Sequence, residues 1–129
     1  MTNRDVLDLA LSLLAESNIS SEVSDYIMRT PALLRLVASD LSAADRALRQ
    51  SRGVEGAVQP FDFSLDAPFP LMEELSACAA YALASLLVLE EIPELSSTLD
   101  KRYRERIPSL GGETVTGAWQ VEKTINRYF

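Results

Sequence analysis

From Pro70 to Glu91 the chain reads PLMEELSACAAYALASLLVLEE, and between Glu74 and Glu90 it holds no charged residue. Its apolar residues do not keep to one side of a helical wheel. Leu71, Leu75, Cys78, Ala82 and Leu86 form one stripe at steps of three and four, Met72, Ala79, Leu83 and Leu87 a second, and Ala77, Ala80, Ala84 and Val88 a third. A helix apolar on every side must be surrounded by protein, so this segment predicts a buried central helix. Pro70 suits its opening, and Ile92-Pro93 predicts its end because proline disfavours helix in the residue before it.

The flanking segments are amphipathic. Thr2 or Asn3 can cap a first helix that runs to about Glu16, with Asp5 in its first turn and Val6, Leu7, Ala10, Leu13 and Leu14 facing inward. Ser20-Ser21 caps and opens a short turn of helix that runs through Tyr26 to Arg29, and Thr30-Pro31 reads as a boundary, with Thr30 the cap and Pro31 the first helical position. Beyond it Leu34, Val37, Leu41, Ala44 and Leu48 predict an amphipathic helix, closed by Gly53, with Arg35, Ser39, Ser42, Arg46 and Arg49 opposite. Asp45 and Arg49 form an i,i+4 pair, worth about 0.2–0.5 kcal/mol on an exposed face.

Residues 53–69 break the periodicity. Phe61, Phe63 and Leu65 alternate with Asp62, Ser64 and Asp66 between prolines, which predicts an extended arm, with Phe69 at its end. Leu95, Leu99, Tyr103 and Ile107 then predict a helix from Pro93 to about Ile107, stopped by Pro108. In the C-terminal stretch, Trp119, Val121 and Ile125 fit alternation, whereas Ala118, Val121, Ile125 and Tyr128 fit a helix. The whole predicts an all-α fold: a bundle of four to five helices around a buried central helix. Residues 1–110 would form the helical domain, with the arm 53–69 inserted, and residues 111–129 a C-terminal arm.

A chain of 129 residues, 47% hydrophobic and 24% charged, is long enough for one core. Its net charge of −7 works against nonspecific binding to a phosphate backbone. The single Cys78 lies in an apolar run and reads as a small buried hydrophobe suited to a reducing compartment. Asp5 and Asp8 interrupt the first apolar run, unlike a signal peptide, and Leu75 to Leu89 is shorter than the roughly 20 residues that span a bilayer. These features predict a soluble, intracellular protein with no membrane partner.

There is no histidine, which removes the commonest general base and zinc ligand, and with it Ser-His and Cys-His nucleophile arrangements. Glu90-Glu91-x-x-Glu94 resembles the EExxE element of MazG-type nucleotide pyrophosphatases, in which helical carboxylates hold Mg²⁺. Pro93 lies inside that element and breaks the single helical face such a site requires. Two basic clusters, Arg46/Arg49/Arg52 and Lys101/Arg102/Arg104/Arg106, sit near helix C-termini, where they complement the dipole. The alternative is contact with DNA or with an acidic patch on a neighbouring subunit. No catalytic, cofactor-binding or metal residue is assigned.

Phe69-Pro70-Leu71, Glu73-Glu74-Leu75, Ala80-Tyr81-Ala82-Leu83-Ala84, Leu86-Leu87, Glu90-Glu91, Pro93-Glu94-Leu95 and Arg102-Tyr103 together resemble the head-tail connector (adaptor) proteins of tailed bacteriophages and prophages. The resemblance covers roughly Pro31 to Tyr103, with Ala82 standing where a glycine is expected. It implies a mostly helical structural protein without catalysis, assembling as a homo-oligomeric ring between portal and tail or neck proteins. DNA would be met only in transit through the channel, and the location would be the virion, with the host cytoplasm during assembly. The expected interface residues are Phe61, Phe63, Leu65, Phe69, Trp119, Val121, Ile125, Tyr128 and Phe129. Two other readings remain: a metal-dependent nucleotide pyrophosphatase using Glu90, Glu91, Glu94 and Asp100, and a generic cytosolic helical interaction module.

Overall fold

The computed structural model describes residues 1–15, 23–56 and 60–107. Among them are four helices and no strand: α1 (Asn3–Ala15), α2 (Val23–Ser51), α3 (Ser76–Leu87) and α4 (Pro93–Arg106). The expected all-α bundle around a buried central helix is what the chain forms. α3 packs against α1, α2 and α4, and Cys78, Ala79, Ala80, Ala82, Leu83, Ala84, Ser85 and Leu87 are all buried. The alanines let three neighbouring helices approach one thin cylinder.

Thr2 is the cap of α1. Its hydroxyl accepts from the Asp5 N–H at 3.3 Å, while the Asp5 carboxylate accepts from the Thr2 N–H at 2.8 Å, a reciprocal arrangement that satisfies two otherwise orphaned donors. That backbone hydrogen bond from Thr2 also holds the Asp5 carboxyl below its usual range. Val6, Leu7, Ala10 and Leu14 turn inward.

The expected boundary at Thr30-Pro31 does not exist, because α2 is continuous from Val23 to Ser51 and holds Pro31 in its interior. An interior proline costs about 3 kcal/mol through its missing N–H and ring clash. The turn before it is nevertheless held against α3. The Tyr26 hydroxyl donates to Glu91 Oε1 at 2.7 Å, Arg29 reaches the carbonyls of Leu86 and Leu87, and the buried Thr30 hydroxyl donates to the Tyr26 carbonyl at 2.7 Å. Tertiary contacts therefore override the local helix-breaking signal.

The central helix is shorter than the expected span from Pro70 to Glu91. Pro70 and Leu71 precede an extended Met72 (φ −59°, ψ 142°), a 3₁₀ turn follows at Glu73–Leu75, and the helix proper begins at Ser76. The reason lies in α2. Asp45 Oδ1 accepts from the Met72 N–H at 2.8 Å, and Arg49 donates from Nη2 to the Pro70 carbonyl at 3.0 Å and from Nη1 to the Glu55 carbonyl at 2.9 Å. Arg49 Nε also meets Asp45 Oδ2 at 2.9 Å, with the side chains only 15% and 6% exposed. The surface i,i+4 pair expected from spacing is in fact a buried clamp that fixes the entry to α3.

Residues 60–69 are not an arm that reaches outward. They lie along the start of α1, where the Asn3 N–H donates to the Ala67 carbonyl, the Arg4 N–H to Leu65 and the Phe69 N–H to Met1. The buried Asn3 amide donates to the carbonyls of Asp62 and Ser64 at 3.1 and 2.8 Å. Phe63 and Phe69 belong to the chain's own core.

Two measurements follow from this packing. Asp45→Ala removes one partner of the buried pair and is expected to lower unfolding free energy by about 3–5 kcal/mol in urea titrations, with Arg49→Lys losing a smaller part because lysine keeps the charge beside Asp45 but lacks the planar fork that also reaches the Pro70 and Glu55 carbonyls. Pro31→Ala restores a helical donor and is expected to stabilise the chain by roughly 1–2 kcal/mol, after allowing for the greater freedom of the unfolded alanine chain.

Candidate functional site

The aromatic residues of segment 60–69 are consumed in structure rather than presented. Phe63 and Phe69 are buried, Phe61 and Leu65 half-buried, and the Phe61 and Phe63 rings meet edge to face at 6.0 Å. This corrects the expectation that all four reach a neighbour; only Phe61 and Leu65 keep appreciable exposure. The other five expected interface residues, Trp119, Val121, Ile125, Tyr128 and Phe129, lie outside the described residues, as does the C-terminal arm 111–129 as a whole.

The acidic groups do not converge. Glu91 accepts the Tyr26 hydroxyl, Asp100 pairs with Arg104 at 3.0 Å, and Pro93 starts α4, separating Glu90 and Glu91 from Glu94 in backbone direction. Among the described residues no three carboxylate or thiol groups are placed to share a metal ion. Cys78 is buried, with Sγ 3.0 Å from the Arg106 carbonyl, and burial pushes its thiol pKa up, away from the thiolate a nucleophile requires.

The basic clusters separate by role. Arg49 is in the clamp and Arg52 pairs with Glu74, whereas Arg46 is exposed and makes no ion pair among the described residues. In α4, Arg104 pairs with Asp100, Arg106 lies over the Tyr81 ring at 4.7 Å, and Lys101 and Arg102 face solvent.

Besides an open depression lined by Arg52, Met72, Glu73, Glu74 and Ser76, two features that remain available for chemistry or binding are on the surface of α2. One is a groove of about 320 Å³ between α2, α3 and α4, with Leu36 at its lip and Asp40, Leu86 and Tyr103 in its walls. On its floor the Tyr103 hydroxyl donates to Asp40 Oδ2 at 2.6 Å. The other is a cleft, also of about 320 Å³, between α2 and segment 60–69, lined by Arg35, Ser39, Ser42, Arg46 and Phe61, with Arg35 5.1 Å over the Phe63 ring. Met28 and Leu36, 81% and 61% exposed, interrupt the polar face of the same helix. Spacing alone marks Arg35, Ser39, Ser42, Arg46 and Arg49 as a wet side; what makes a cleft of it is the packing of Phe61 and Phe63 beside the first four.

No protein-family model, curated protein or solved structure matches the chain. No helix among the described residues is long and apolar enough to cross a membrane.

Burial, then the hydrogen bond to Asp40 and its negative charge, raise the Tyr103 pKa far above the usual value of 10.0. The folded chain thus keeps a proton that the unfolded chain releases above about pH 10, and stability falls as pH rises past that point. The slope of unfolding free energy against pH between about pH 10 and 11 is expected to be shallower in Tyr103→Phe than in the parent chain, measured by chemical denaturation.

Proposed function

We propose that this chain is a head-tail connector (adaptor) of a tailed bacteriophage or prophage, acting by ring assembly and without catalysis. The observation that carries the reading is where the resemblance falls in the fold. Glu73, Glu74, Glu90, Glu91, Glu94 and Arg102 of the resembling run are exposed, but Leu71, Leu75, Ala80, Leu83, Ala84, Leu87 and Tyr103 are interior, so a large part of the likeness lies in the order of the packing residues that make this bundle. Their spacing encodes a way of wrapping three helices around one, which is a more demanding match than surface composition.

Two further features support it. An outward helix face carries exposed apolar and cationic side chains, which is what an assembly component needs. The net charge of −7 suits a ring through which DNA passes without adhering. In this reading the partners are further copies of the chain, the portal and tail or neck proteins, and the chain is located in the virion after assembly in the host cytoplasm.

Deleting the gene from its phage or prophage is expected to leave DNA-filled or leaking heads without attached tails, seen by electron microscopy of induced lysates. Complementation with the full chain restores tailed particles. Normal tailed virions in the deletion strain overturn the proposal.

A further inference from the structure

Among the charged side chains that make no ion pair among the described residues, which also include Lys101 and Arg102 of α4, two groups of opposite sign lie beside exposed apolar surface: a pair of arginines on α2 and a pair of glutamates at the corner between α3 and α4. On α2, Arg35, Ser39, Ser42 and Arg46 follow one another at steps of four, three and four, so they share a helix face, with the two cations about 16 Å apart along the axis. Neither arginine makes an ion pair among the described residues. Arg35 is held over the Phe63 ring, an arrangement that fixes the guanidinium while leaving its N–H edge unpaired. The acids of α2 do not neutralise this face: Asp25 pairs with Arg29, Asp40 accepts from Tyr103 and Asp45 belongs to the clamp.

The second patch is the corner between α3 and α4. Leu89 is 53% exposed, Glu90 and Glu94 are exposed without an ion pair among the described residues, and Pro93 stiffens the turn between them. The Tyr26–Glu91 hydrogen bond pins this corner to the first turns of α2, whereas the cationic cleft lies on the later turns beside segment 60–69. The two patches are therefore different surfaces of one chain.

We propose that the Arg35/Arg46 cleft of one copy receives the Leu89-Glu90…Glu94 corner of the next copy, with Leu89 against the exposed part of Phe61 and the carboxylates against the two guanidinium groups. Resting on the ring reading above, this names its subunit contact. A joint between two different patches is heterologous, and such joints close into rings when the rotation between copies allows. Charge complementarity selects the second copy: an identical molecule carries both the unspent cationic cleft and an unspent acidic corner, and at contact it is this local charge that decides.

The test is a reciprocal charge swap on the full chain, read by sedimentation velocity and negative-stain imaging at high concentration. Arg35→Glu with Arg46→Glu reverses the cleft, and Glu90→Arg with Glu94→Arg reverses the corner. Each double variant is expected to weaken assembly at least tenfold, and a one-to-one mixture of the two is expected to restore it, because each reversed patch then meets a complementary one. Ser39→Glu serves as a second cleft variant, since it leaves the Arg35–Phe63 contact in place; it should also weaken assembly while retaining the parent's thermal unfolding. Rings that form equally well in all variants overturn this contact but leave the connector reading standing. Failure of the parent chain to assemble, alone or on portal, overturns the ring reading as well. Loss of binding to a fluorescent DNA duplex on cleft reversal, with assembly unchanged, makes the cleft a nucleic-acid site and overturns the contact.

Discussion

A helix packed against three others, as α3 is except along the side that carries Ala77 and Tyr81, still has four carbonyls at its C-terminus with no partner of its own, and packing keeps water from them. In α3 these belong to Ala84, Ser85, Leu86 and Leu87. Ala84 accepts from the Val88 N–H, Ser85 from the Ser96 hydroxyl at 2.8 Å, and Leu86 and Leu87 from the two ends of the Arg29 guanidinium at 3.4 and 3.3 Å. The Ser85 hydroxyl returns the bond to the Ser96 carbonyl at 2.9 Å, so α3 and α4 are joined twice at one level. Satisfying α3 thus fixes α4 through Ser96 and the early turns of α2 through Arg29. This requirement explains why α2 runs unbroken through Pro31: the turn that carries Arg29 must stay helical for the guanidinium to reach.

The other end of α3 is fixed by the clamp. Asp45 and Arg49 stand one turn apart on α2, and between them they take up the Met72 N–H and the Pro70 and Glu55 carbonyls. A carboxylate this buried is tolerated only because a cation and a backbone donor face it. The clamp also shapes the surface. By turning the chain back after α2, it sends residues 60–69 along α1 and against Arg35, which creates the cleft on the outer face of the helix.

Periodicity made the hydrophobic skeleton legible. The all-round apolar run at α3, the inward stripe of α1 and the stripe Leu34, Val37, Leu41, Ala44 of α2 follow from spacing alone, because burial is what spacing encodes. Polar joints were not legible. Asp45–Arg49 has the same spacing as a surface pair, and only the backbone groups brought from residues 55, 70 and 72 distinguish it. Pro31 read as a boundary because local rules do not include Arg29 reaching α3. The aromatics Phe63 and Phe69 looked like an outward arm because alternation between prolines does not say which surface the segment lies on; the Asn3 amide, bonding two carbonyls of that segment, settles it. The candidate surface is half visible in the sequence, which shows its arginines and serines but not which of them the fold leaves unpaired.

In the proposed ring an acidic chain would associate with itself. At physiological ionic strength charges more than about 8 Å apart are largely screened, so a net charge of −7 is a weak obstacle until two surfaces nearly touch. At contact only local charge matters, and an acidic molecule then needs cations that its own fold has not used. Here Arg4, Arg29, Arg49, Arg52 and Arg104 are engaged with carboxylates, and the remaining cations of α2, Arg35 and Arg46, share one cleft. The internal ion pairs therefore do two things at once. The buried Asp45–Arg49 pair fixes the entry to α3, and by consuming every other arginine of that helix the pairs decide where its unspent positive charge lies.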